Sequence, residues 1–250
     1  MKFPLIDKPL IFFYNMRNKN IVVLTGAGIS AESGVKTFRD NDGLWENYRI
    51  EDVATPEAWA RDSSLVWGFY QGRRRQLLEV NPNPAHQALA KLEGETGSLT
   101  LITQNVDDLH ERGGSKSVIH MHGELKTLRC ESSGQSEERF SKDDLTDEFV
   151  VCDCCAEPSR MRPDIVWFGE MPMFMEEIYA AVEDSDVFIV IGSSGHVYPA
   201  AGLVRVARAA GAKTILVNYE VPVNGYEFDE MYIGKAGEIL PDLVEKWLED

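Results

Sequence analysis

Short runs of apolar, largely β-branched residues recur along this chain, and polar or glycine-rich turns follow several of them. The runs typical of buried strands are residues 21–25, 99–103, 118–121, 187–191 and 214–217. Helical patterns lie between them, at residues 56–80, 85–92, 200–210 and 241–248, and residues 30–34 are expected to open a further helix. This alternation of strand, turn and helix predicts an α/β fold with a doubly wound parallel sheet.

The first strand is followed directly by a glycine turn that is suited to a dinucleotide. Gly26-Ala27-Gly28-Ile29-Ser30-Ala31 matches the pattern G-x-G-x-x-G/A. The first glycine permits a tight turn, the second admits a pyrophosphate close to the backbone, and Ala31 lets the helix pack closely. The acidic residue that usually holds the ribose about 20 residues on is missing here. A polar loop stands there instead, and Arg39 in it is a candidate for contact with the phosphates and the nicotinamide side.

Polar side chains follow three of the later strands. Gln104-Asn105-Val106-Asp107 follows residues 99–103 and offers two amides and a carboxylate, which suit a ribose and a carboxamide. The alternative is a polar turn that caps the next helix through Asp107 or Asp108. Gly192-Ser193-Ser194 and Asn218-Tyr219-Glu220 also follow strands, and Asn218 or Glu220 is a candidate for the adenosine ribose. Ligands of doubly wound folds lie at these strand ends.

Two histidines flank Met121 at the end of a predicted strand. A neutral imidazole at His122 would be able to take a proton from a sugar hydroxyl, because its pKa lies near working pH. His120 is expected to point to the same face but deeper, as support. A structural role is the alternative for either histidine.

The four cysteines lie in a polar segment, residues 124–163, that interrupts the regular alternation. Cys152 and Cys155 form one C-x₂-C pair, whereas Ser133 occupies the position where a partner of Cys130 is expected. Hydroxyl is a poor zinc ligand. Either Zn²⁺ is held by Cys130, Cys152 and Cys155, with Cys154 or water as the fourth ligand, or the site is degenerate.

These features divide the chain into an N-terminal tail, a Rossmann-like domain in three segments, and two inserted modules. The expected bounds are 1–18 for the tail, 19–36, 86–123 and 164–250 for the Rossmann-like domain, 37–85 for a helical module and 124–163 for the cysteine-bearing module. A chain of 250 residues is long enough for one large domain with an insertion.

The net charge of −16 argues against binding to nucleic acid or to an anionic membrane surface and favours basic partners, although solubility alone is an alternative explanation. No apolar run approaches the length of about 20 residues that a membrane span requires. The cysteine pattern is not that of a secreted disulfide framework. We therefore expect a cytoplasmic protein, and a monomer.

Several motifs in combination resemble the sirtuins, the NAD-dependent protein deacylases, and among them the bacterial CobB-type enzymes. The motifs are Gly26 to Ser30 with Ser33-Gly34, Thr37-Phe38-Arg39 with Gly43-Leu44-Trp45, Thr103 to Asp107, His122-Gly123-Glu124 and Phe168-Gly169-Glu170. The resemblance runs from about Ile21 to Glu245. It implies a Rossmann domain with a smaller zinc-bearing domain, and a cleft between them where NAD and an acyl-lysine protein substrate meet.

The resemblance also implies a reaction and a set of site residues. The acyl oxygen attacks C1′ of the nicotinamide ribose, nicotinamide leaves, and His122 as general base activates a ribose hydroxyl, which yields free lysine and O-acyl-ADP-ribose. Gln104, Asn105 and Asp107 lie around the nicotinamide and its ribose, and Phe38 shields the reacting centre. The expected NAD-binding residues are Gly26, Ala27, Gly28, Ala31, Phe38, Arg39, Trp45, Gln104, Asn105, Asp107, Gly192, Ser193, Ser194, Asn218, Glu220 and Ala236.

The pattern Tyr70-x-x-Arg73 resembles the class III subgroup, which removes succinyl, malonyl or glutaryl groups. Arginine pairs with a distal carboxylate, and tyrosine adds a hydroxyl. The alternative is a solvated basic helix, since Arg74 and Arg75 follow. Main-chain atoms of Val166, Phe168 and Gly169 are expected to pair with the substrate peptide. An ADP-ribosyltransferase or NAD glycohydrolase, or a non-catalytic NAD-sensing module, stays open as an alternative function.

Overall fold

A computed structural model describes residues 15–36, 44–45 and 48–249, so Phe38 and Arg39 lie outside the described residues. The strands are β1 (Ile21–Thr25), β2 (Leu44–Trp45), β3 (Tyr48–Arg49), β4 (Leu99–Thr103), β5 (Val118–His120), β6 (Gly123–Cys130), β7 (Ser136–Glu138), β8 (Met161–Ile165), β9 (Val187–Ile191), β10 (Lys213–Asn218) and β11 (Glu230–Ile233). The α-helices are α1 (Gly28–Ala31), α2 (Ile50–Val53), α3 (Pro56–Arg61), α4 (Ser63–Leu77), α5 (Pro84–Thr96), α6 (Leu109–Gly113), α7 (Met175–Glu183), α8 (Leu203–Ala210) and α9 (Ala236–Leu248).

Six strands form a parallel sheet in the order β11-β10-β9-β1-β4-β5. When these six strands are numbered along the chain, the order is 6-5-4-1-2-3, which is that of a doubly wound dinucleotide-binding sheet. The predicted fold class is therefore confirmed. The strand order reverses between β1 and β9, and ligands of such sheets bind beyond the carboxyl ends of the strands at this point.

Helices cover both faces of the sheet, and this explains why the central strands are apolar throughout. Every residue of β1 and β9 is buried. Helices α5 and α9 pack on one face, and α7 and α8 pack on the other. Met16, which the sequence assigned to the N-terminal tail, is buried in the first of these cores, and its N–H donates to Trp247 O at 2.9 Å.

A second, antiparallel sheet has the order β7-β6-β8. Its inner side chains share one apolar core with helices α3 and α4, and that core contains Tyr70, Cys130 and Trp167. The predicted boundary between residues 163 and 164 falls within β8. The cysteine-bearing segment and the helical segment therefore pack as one body beside the large sheet.

Several helix bounds differ from those expected. Residues 56–80 form two helices, because Asp62 ends α3 and its side chain accepts a hydrogen bond from Leu65 N at 3.0 Å at the start of α4. The closing helix begins at Ala236, with Pro241 inside it. The helix after the glycine turn spans Gly28–Ala31 rather than residues 30–34. Within the described ranges, no helix has both the length and the apolar character that crossing a membrane requires.

Candidate active site

The carboxyl ends of the central strands lie in register. Thr25 of β1 stands opposite Thr103 of β4 and Ile191 of β9, and Ile191 stands opposite Val217 of β10. The turns that follow these strands therefore meet at one edge of the sheet. All the polar segments that the sequence singled out after strands begin at this edge.

The turn after β1 lies against the turn after β9, and glycine is required at both. Gly28 N donates to Gly192 O at 2.8 Å, and Gly26 N donates to Ile191 O at 2.9 Å. A Cβ atom on Gly28 would lie 2.7 Å from the Cα of Gly192. Gly192 also has a φ of +63°, which side-chain-bearing residues rarely adopt. This close contact leaves no room for a side chain where the two turns meet.

Gln104 and Asn105 connect the turn after β4 to both glycine turns. Asn105 Nδ2 donates to Gly26 O at 3.2 Å and to Ser30 Oγ at 3.1 Å. Gln104 Nε2 donates to Ser193 Oγ at 3.1 Å. The predicted residues Gln104, Asn105, Gly26 and Ser193 are thus brought into one hydrogen-bonded group.

Asp107 lies next to the start of α6, and its predicted contact with the nucleotide stays a prediction. Its carboxylate accepts a hydrogen bond from Leu109 N at 3.2 Å, at the first residue of α6, whose N-cap is Asp108. Asp107 is also buried within the loop, with 4% of its surface exposed. Burial raises the pKa of Asp107, while the bonds to Leu109 and Ser30 and the charges of His120 and Arg73 oppose that rise. The carboxyl group therefore lies within the electrostatic reach of both histidine and arginine.

His122 lies just beyond the end of β5, beside the Gln104 loop. Its Nδ1 is 3.0 Å from Gln104 O, an oxygen that can only accept, so Nδ1 carries a proton. In the neutral ring, Nε2 then holds a lone pair. Burial lowers the pKa of His122, and the bond to Gln104 offsets part of that effect. The ring is therefore neutral at physiological pH, which is the form that a general base requires.

The predicted residues after β9, β10 and β11 divide into two groups. Asn218 is buried at the end of β10 and donates through Nδ2 to Glu220 O at 2.8 Å. Ala236 is buried as the first residue of α9. In contrast, Glu220 is exposed, and Ser194 accepts a hydrogen bond from His196 N. The structure thus lines the sheet edge with Asn218 and Ala236, while Glu220 faces solvent.

Tyr70 and Arg73 are buried in an aromatic cluster, so the interpretation as a solvated basic helix is wrong. Tyr70 is 1% exposed and its hydroxyl accepts a hydrogen bond from Trp167 Nε1 at 3.0 Å. Burial raises the pKa of Tyr70 to about 12. The guanidinium of Arg73 lies 4.2 Å from the ring centroid of Trp45. Trp45, which we expected to bind the nucleotide, thus lies beside Arg73.

The segment expected to pair with a peptide already uses three of its main-chain donors, and one of them, Trp167 N, donates to Glu170 Oε2 at 2.8 Å. Val166 N donates to His122 O at 2.9 Å, and Phe168 N donates to Ala54 O at 3.0 Å. Gly169 adopts a φ of +96°, which turns the chain after the strand-like stretch. A peptide that lies here would have to bond to the remaining groups of the segment.

The sulfur atoms of Cys130, Cys152, Cys154 and Cys155 lie within 4.8 Å of one another. Cys155 Sγ is 3.7 Å from Cys130 Sγ and 3.8 Å from Cys154 Sγ. Four sulfurs at the usual zinc–sulfur distance of about 2.3 Å would be about 3.8 Å apart in a tetrahedron. The donor set therefore fits one Zn²⁺.

Ser133 stands where a fourth cysteine was expected, and Cys154 provides the fourth sulfur atom of the cluster instead. The hydroxyl of Ser133 lies 3.1 Å from Cys154 Sγ, and Ser133 N donates to Cys130 Sγ at 3.4 Å. Hydrogen bonds from Ser133 lower the pKa of the Cys130 thiol to about 5, which favours the thiolate that binds metal. Of the alternatives, the geometry favours Cys154 over water as the fourth ligand.

Comparison with known proteins identifies the family. The sequence model of the Sir2 family matches residues 26–199, more than half of the chain. The chain belongs to the Sir2 family. An NAD-dependent protein deacylase of Vibrio cholerae is 57% identical over 92% of this chain and 94% of that protein. Another from Salmonella typhimurium is 53% identical over 93% of this chain and 85% of that protein.

Solved Sir2 structures have the same architecture. A Sir2 homologue in complex with NAD superposes with a TM-score of 0.84 at 43% identity, over 92% of this chain and 90% of that one. A Sir2 complex with a p53 peptide and NAD⁺ has a TM-score of 0.77 at 31% identity, over 90% of this chain and 92% of that one. The resemblance drawn from the sequence motifs is therefore confirmed.

This Sir2-family site also contains residues that sequence reasoning missed. Ser30 Oγ accepts a hydrogen bond from Asn105 Nδ2 and lies 3.5 Å from His86 Nε2. Trp167 Nε1 donates a hydrogen bond to the hydroxyl of Tyr70. The position of Ser30 inside the glycine motif was an available signal. For Trp167 no local pattern signals the contact, because its partner lies 97 residues away.

Proposed function

We propose that this chain is an NAD-dependent protein-lysine deacylase, which transfers an acyl group from lysine to ADP-ribose and releases nicotinamide. The main support is the geometry of His122, whose Nδ1–H is fixed by Gln104 O at 3.0 Å. This bond leaves Nε2 as the basic atom beside the loop of Gln104, Asn105 and Asp107. An imidazole in this form is suited to accept the proton of a ribose hydroxyl.

The other proposed roles follow from position. The turns of Gly26, Gly28 and Gly192 are proposed to lie against the pyrophosphate. Their own N–H groups bond to main-chain carbonyls of the fold, so the glycines contribute room for a close approach. Asn105 and Asp107 orient the nicotinamide and its ribose, and Gln104 joins this loop to Ser193. The relatives named as NAD-dependent deacylases and the solved NAD complex of a Sir2 homologue support NAD as the co-substrate.

We further propose that acyl groups with a distal carboxylate, such as succinyl, are substrates together with acetyl. The support is a cation and a hydroxyl on one face of α4, both buried beside the Asp107 loop. Arg73 is 7% exposed and acts on the pKa values of Tyr70 and Asp107 through its charge. Inside an apolar cluster, a guanidinium favours a carboxylate strongly, because little water competes for it.

The cysteine cluster is proposed to hold one structural Zn²⁺ through Cys130, Cys152, Cys154 and Cys155. When bound, the metal would stabilise the small sheet and would take no part in the reaction. Acylated proteins are the proposed partners. A monomeric state, a cytoplasmic location and the absence of nucleic-acid and membrane binding stay predictions.

A panel of acetyl- and succinyl-peptides with NAD tests the proposal. Mass spectrometry is expected to find free lysine, nicotinamide and O-acyl-ADP-ribose in equal amounts. Cleavage of NAD without an acyl acceptor would indicate a glycohydrolase, and ADP-ribosylated protein would indicate a transferase. NAD binding with no nicotinamide released would indicate a sensing module, and each of these results would refute deacylation.

A further inference from the structure

A second histidine, His120, is bonded to the loop of residues 104–107, which is proposed to bind nicotinamide. The proposed reaction does not use this histidine. His120 is the last residue of β5 and is 6% exposed. Its Nδ1 lies 3.2 Å from Asn105 O, and its Nε2 lies 2.8 Å from Glu111 Oε1 and 3.7 Å from Glu124 Oε1. The ring thus joins three elements: the Asn105 loop, α6 and β6.

The partners of His120 determine its protonation. A main-chain carbonyl and an ionised carboxylate only accept hydrogen bonds. Both ring nitrogens of His120 face such acceptors, so both carry protons and the ring is a cation. In a neutral ring, one nitrogen lone pair would face an oxygen lone pair in a buried place, which is costly.

His120 and His122 donate hydrogen bonds to consecutive carbonyl groups of the loop of residues 104–107. His122 Nδ1 bonds to Gln104 O at 3.0 Å, and His120 Nδ1 bonds to Asn105 O at 3.2 Å. The ring of His122 is neutral, whereas that of His120 is charged and lies next to the carboxylates of Glu111 and Glu124. The peptide between these carbonyls carries Asn105, whose side chain reaches Gly26 and Ser30.

We propose that His120 is a positioning residue: as an imidazolium held by Glu111 and Glu124, it fixes the Asn105 carbonyl and so orients the loop that binds the nicotinamide half of NAD. This inference rests on the proposed function, since it needs NAD to lie against Asn105. His120 itself contacts neither substrate nor reacting atoms.

The charges around His120 support a stable imidazolium. Burial lowers the pKa of His120, but the hydrogen bond and charge of Glu111 and the charge of Glu124 outweigh it, so the net shift is upward. Asp107 in the loop and His110 on α6 also interact with its charge. Lys126 acts on Glu111 from β6. His120 therefore keeps its proton at a pH where an ordinary histidine has begun to lose it.

The first experiment compares His120→Gln with the wild-type protein in calorimetric titrations of NAD and of ADP-ribose, which lacks nicotinamide. We expect the affinity for NAD to fall about tenfold, the cost of one ordinary hydrogen bond, and the affinity for ADP-ribose to stay unchanged. Equal losses for both ligands, or a fall only in the thermal midpoint, would mean that His120 merely stabilises the fold and would overturn the proposal.

Glu111→Gln gives a second readout that keeps the ring in place. Without the charge of Glu111, His120 should lose its proton at lower pH, so the affinity for NAD should fall between about pH 6 and 8, around the usual histidine pKa of about 6.5. The matched control is Glu245→Gln. It removes an exposed carboxylate on α9 that pairs with Lys91 on α5. A pH profile like that of the control and the wild type would refute the inference.

Binding and turnover separate the two proposals. If the wild-type protein binds NAD as expected but releases no nicotinamide with acyl-peptides, the proposed function fails while the His120 result stands. If it deacylates peptides and neither variant changes NAD binding, only the role of His120 fails.

Discussion

The two sides of the candidate cleft are built differently. The nucleotide side consists of residues 26–31, 104–107, 122 and 192–194, which are turns and short polar side chains directly after strands. The acyl side consists of Trp45, Tyr70, Arg73 and Trp167, which are long side chains from three separate segments. Main-chain contacts and short hydrogen-bonding side chains fix the first side, whereas the packing of aromatic rings fixes the second.

This difference separates what each side is able to do. On the nucleotide side, the positions of the turns follow from sheet register, and close backbone contacts require glycine at Gly28 and Gly192. On the acyl side, the rings of Trp45 and Trp167 position Arg73 and Tyr70. We therefore infer that chemistry is located on the nucleotide side and acyl specificity on the acyl side, and the following experiments test that division.

The largest effect is expected for His122→Ala. Loss of a general base lowers turnover by roughly 100- to 10,000-fold. Because the substitution also removes the bond from His122 to Gln104 O, NAD affinity should fall by up to about tenfold, which is still far less than the loss of turnover. Nicotinamide release with an acetyl-peptide measures the first quantity, and calorimetry with NAD measures the second. Turnover at the wild-type level would place the base elsewhere.

Cys154→Ser should remove the zinc and weaken the acyl side first. A hydroxyl is a poor zinc ligand, so zinc should fall well below the expected content of about one ion per chain. Cys130 and Cys152 lie in the same core as Tyr70 and Trp167. The KM for peptide should therefore rise more than the KM for NAD.

Ser133→Ala is the control for the cysteine experiment, since it removes a hydroxyl that contacts Cys154 and Gln135 N but leaves all four sulfur atoms in place. It should keep the metal, as measured by elemental analysis. Full zinc content in Cys154→Ser would show that another group is the fourth ligand.

Arg73→Met tests the acyl side alone. Loss of a charge-assisted pair should slow desuccinylation by about 10- to 100-fold and deacetylation much less. Arg75→Met is the matched control, because Arg75 is exposed on the same helix and pairs with Asp147. The measurement is kcat/KM on paired acetyl- and succinyl-peptides. Equal losses on the two peptides would remove the specificity assigned to Arg73.

The sequence was a good guide to the nucleotide side for a physical reason. Strand runs such as residues 21–25 carry their own signal, and in a parallel sheet the residue after each strand must lie at the ligand edge. The glycine turn and Gln104 to Asp107 were therefore located from local patterns alone. The start of the closing helix was missed because Pro241 resembles a helix start although the packing of α9 begins at Ala236.

On the acyl side, the spacing of Tyr70 and Arg73 was visible in the sequence, but the side chains that pack around them were not. Burial of Arg73 depends on Trp45, and the position of the Tyr70 hydroxyl depends on Trp167, which is far away in the chain. The role of Cys154 likewise needs the fold, since its sulfur reaches the cluster only when residues 130–133 and 152–155 pack together. Contacts between distant segments carry no signal in the spacing of either one.

The smallest expected effect is on how the free energy of unfolding depends on pH. Buried histidines should make this free energy sensitive to acid on the nucleotide side, whereas Tyr70 should not on the acyl side. Under the nucleotide side, His86 and His110 are fully buried with ring centroids 5.0 Å apart. Burial lowers the pKa of His86 to about 4 and that of His110 well below its usual value. On the acyl side, Tyr70 stays neutral because its pKa is about 12.

Because the folded-state pKa values lie below the unfolded value of about 6.5, the unfolded chain binds protons at these histidines that the folded protein does not bind. The free energy of unfolding therefore falls as pH drops from about 6.5 towards the folded values. Between about pH 7 and 5.5, His86 should account for a loss of about 1 kcal/mol in the free energy of unfolding. Urea unfolding of wild type and His86→Gln over this range measures the difference in slope. Parallel slopes would mean that His86 binds protons alike in the folded and unfolded protein, and His86 would then give the nucleotide side no acid sensitivity that separates it from the acyl side.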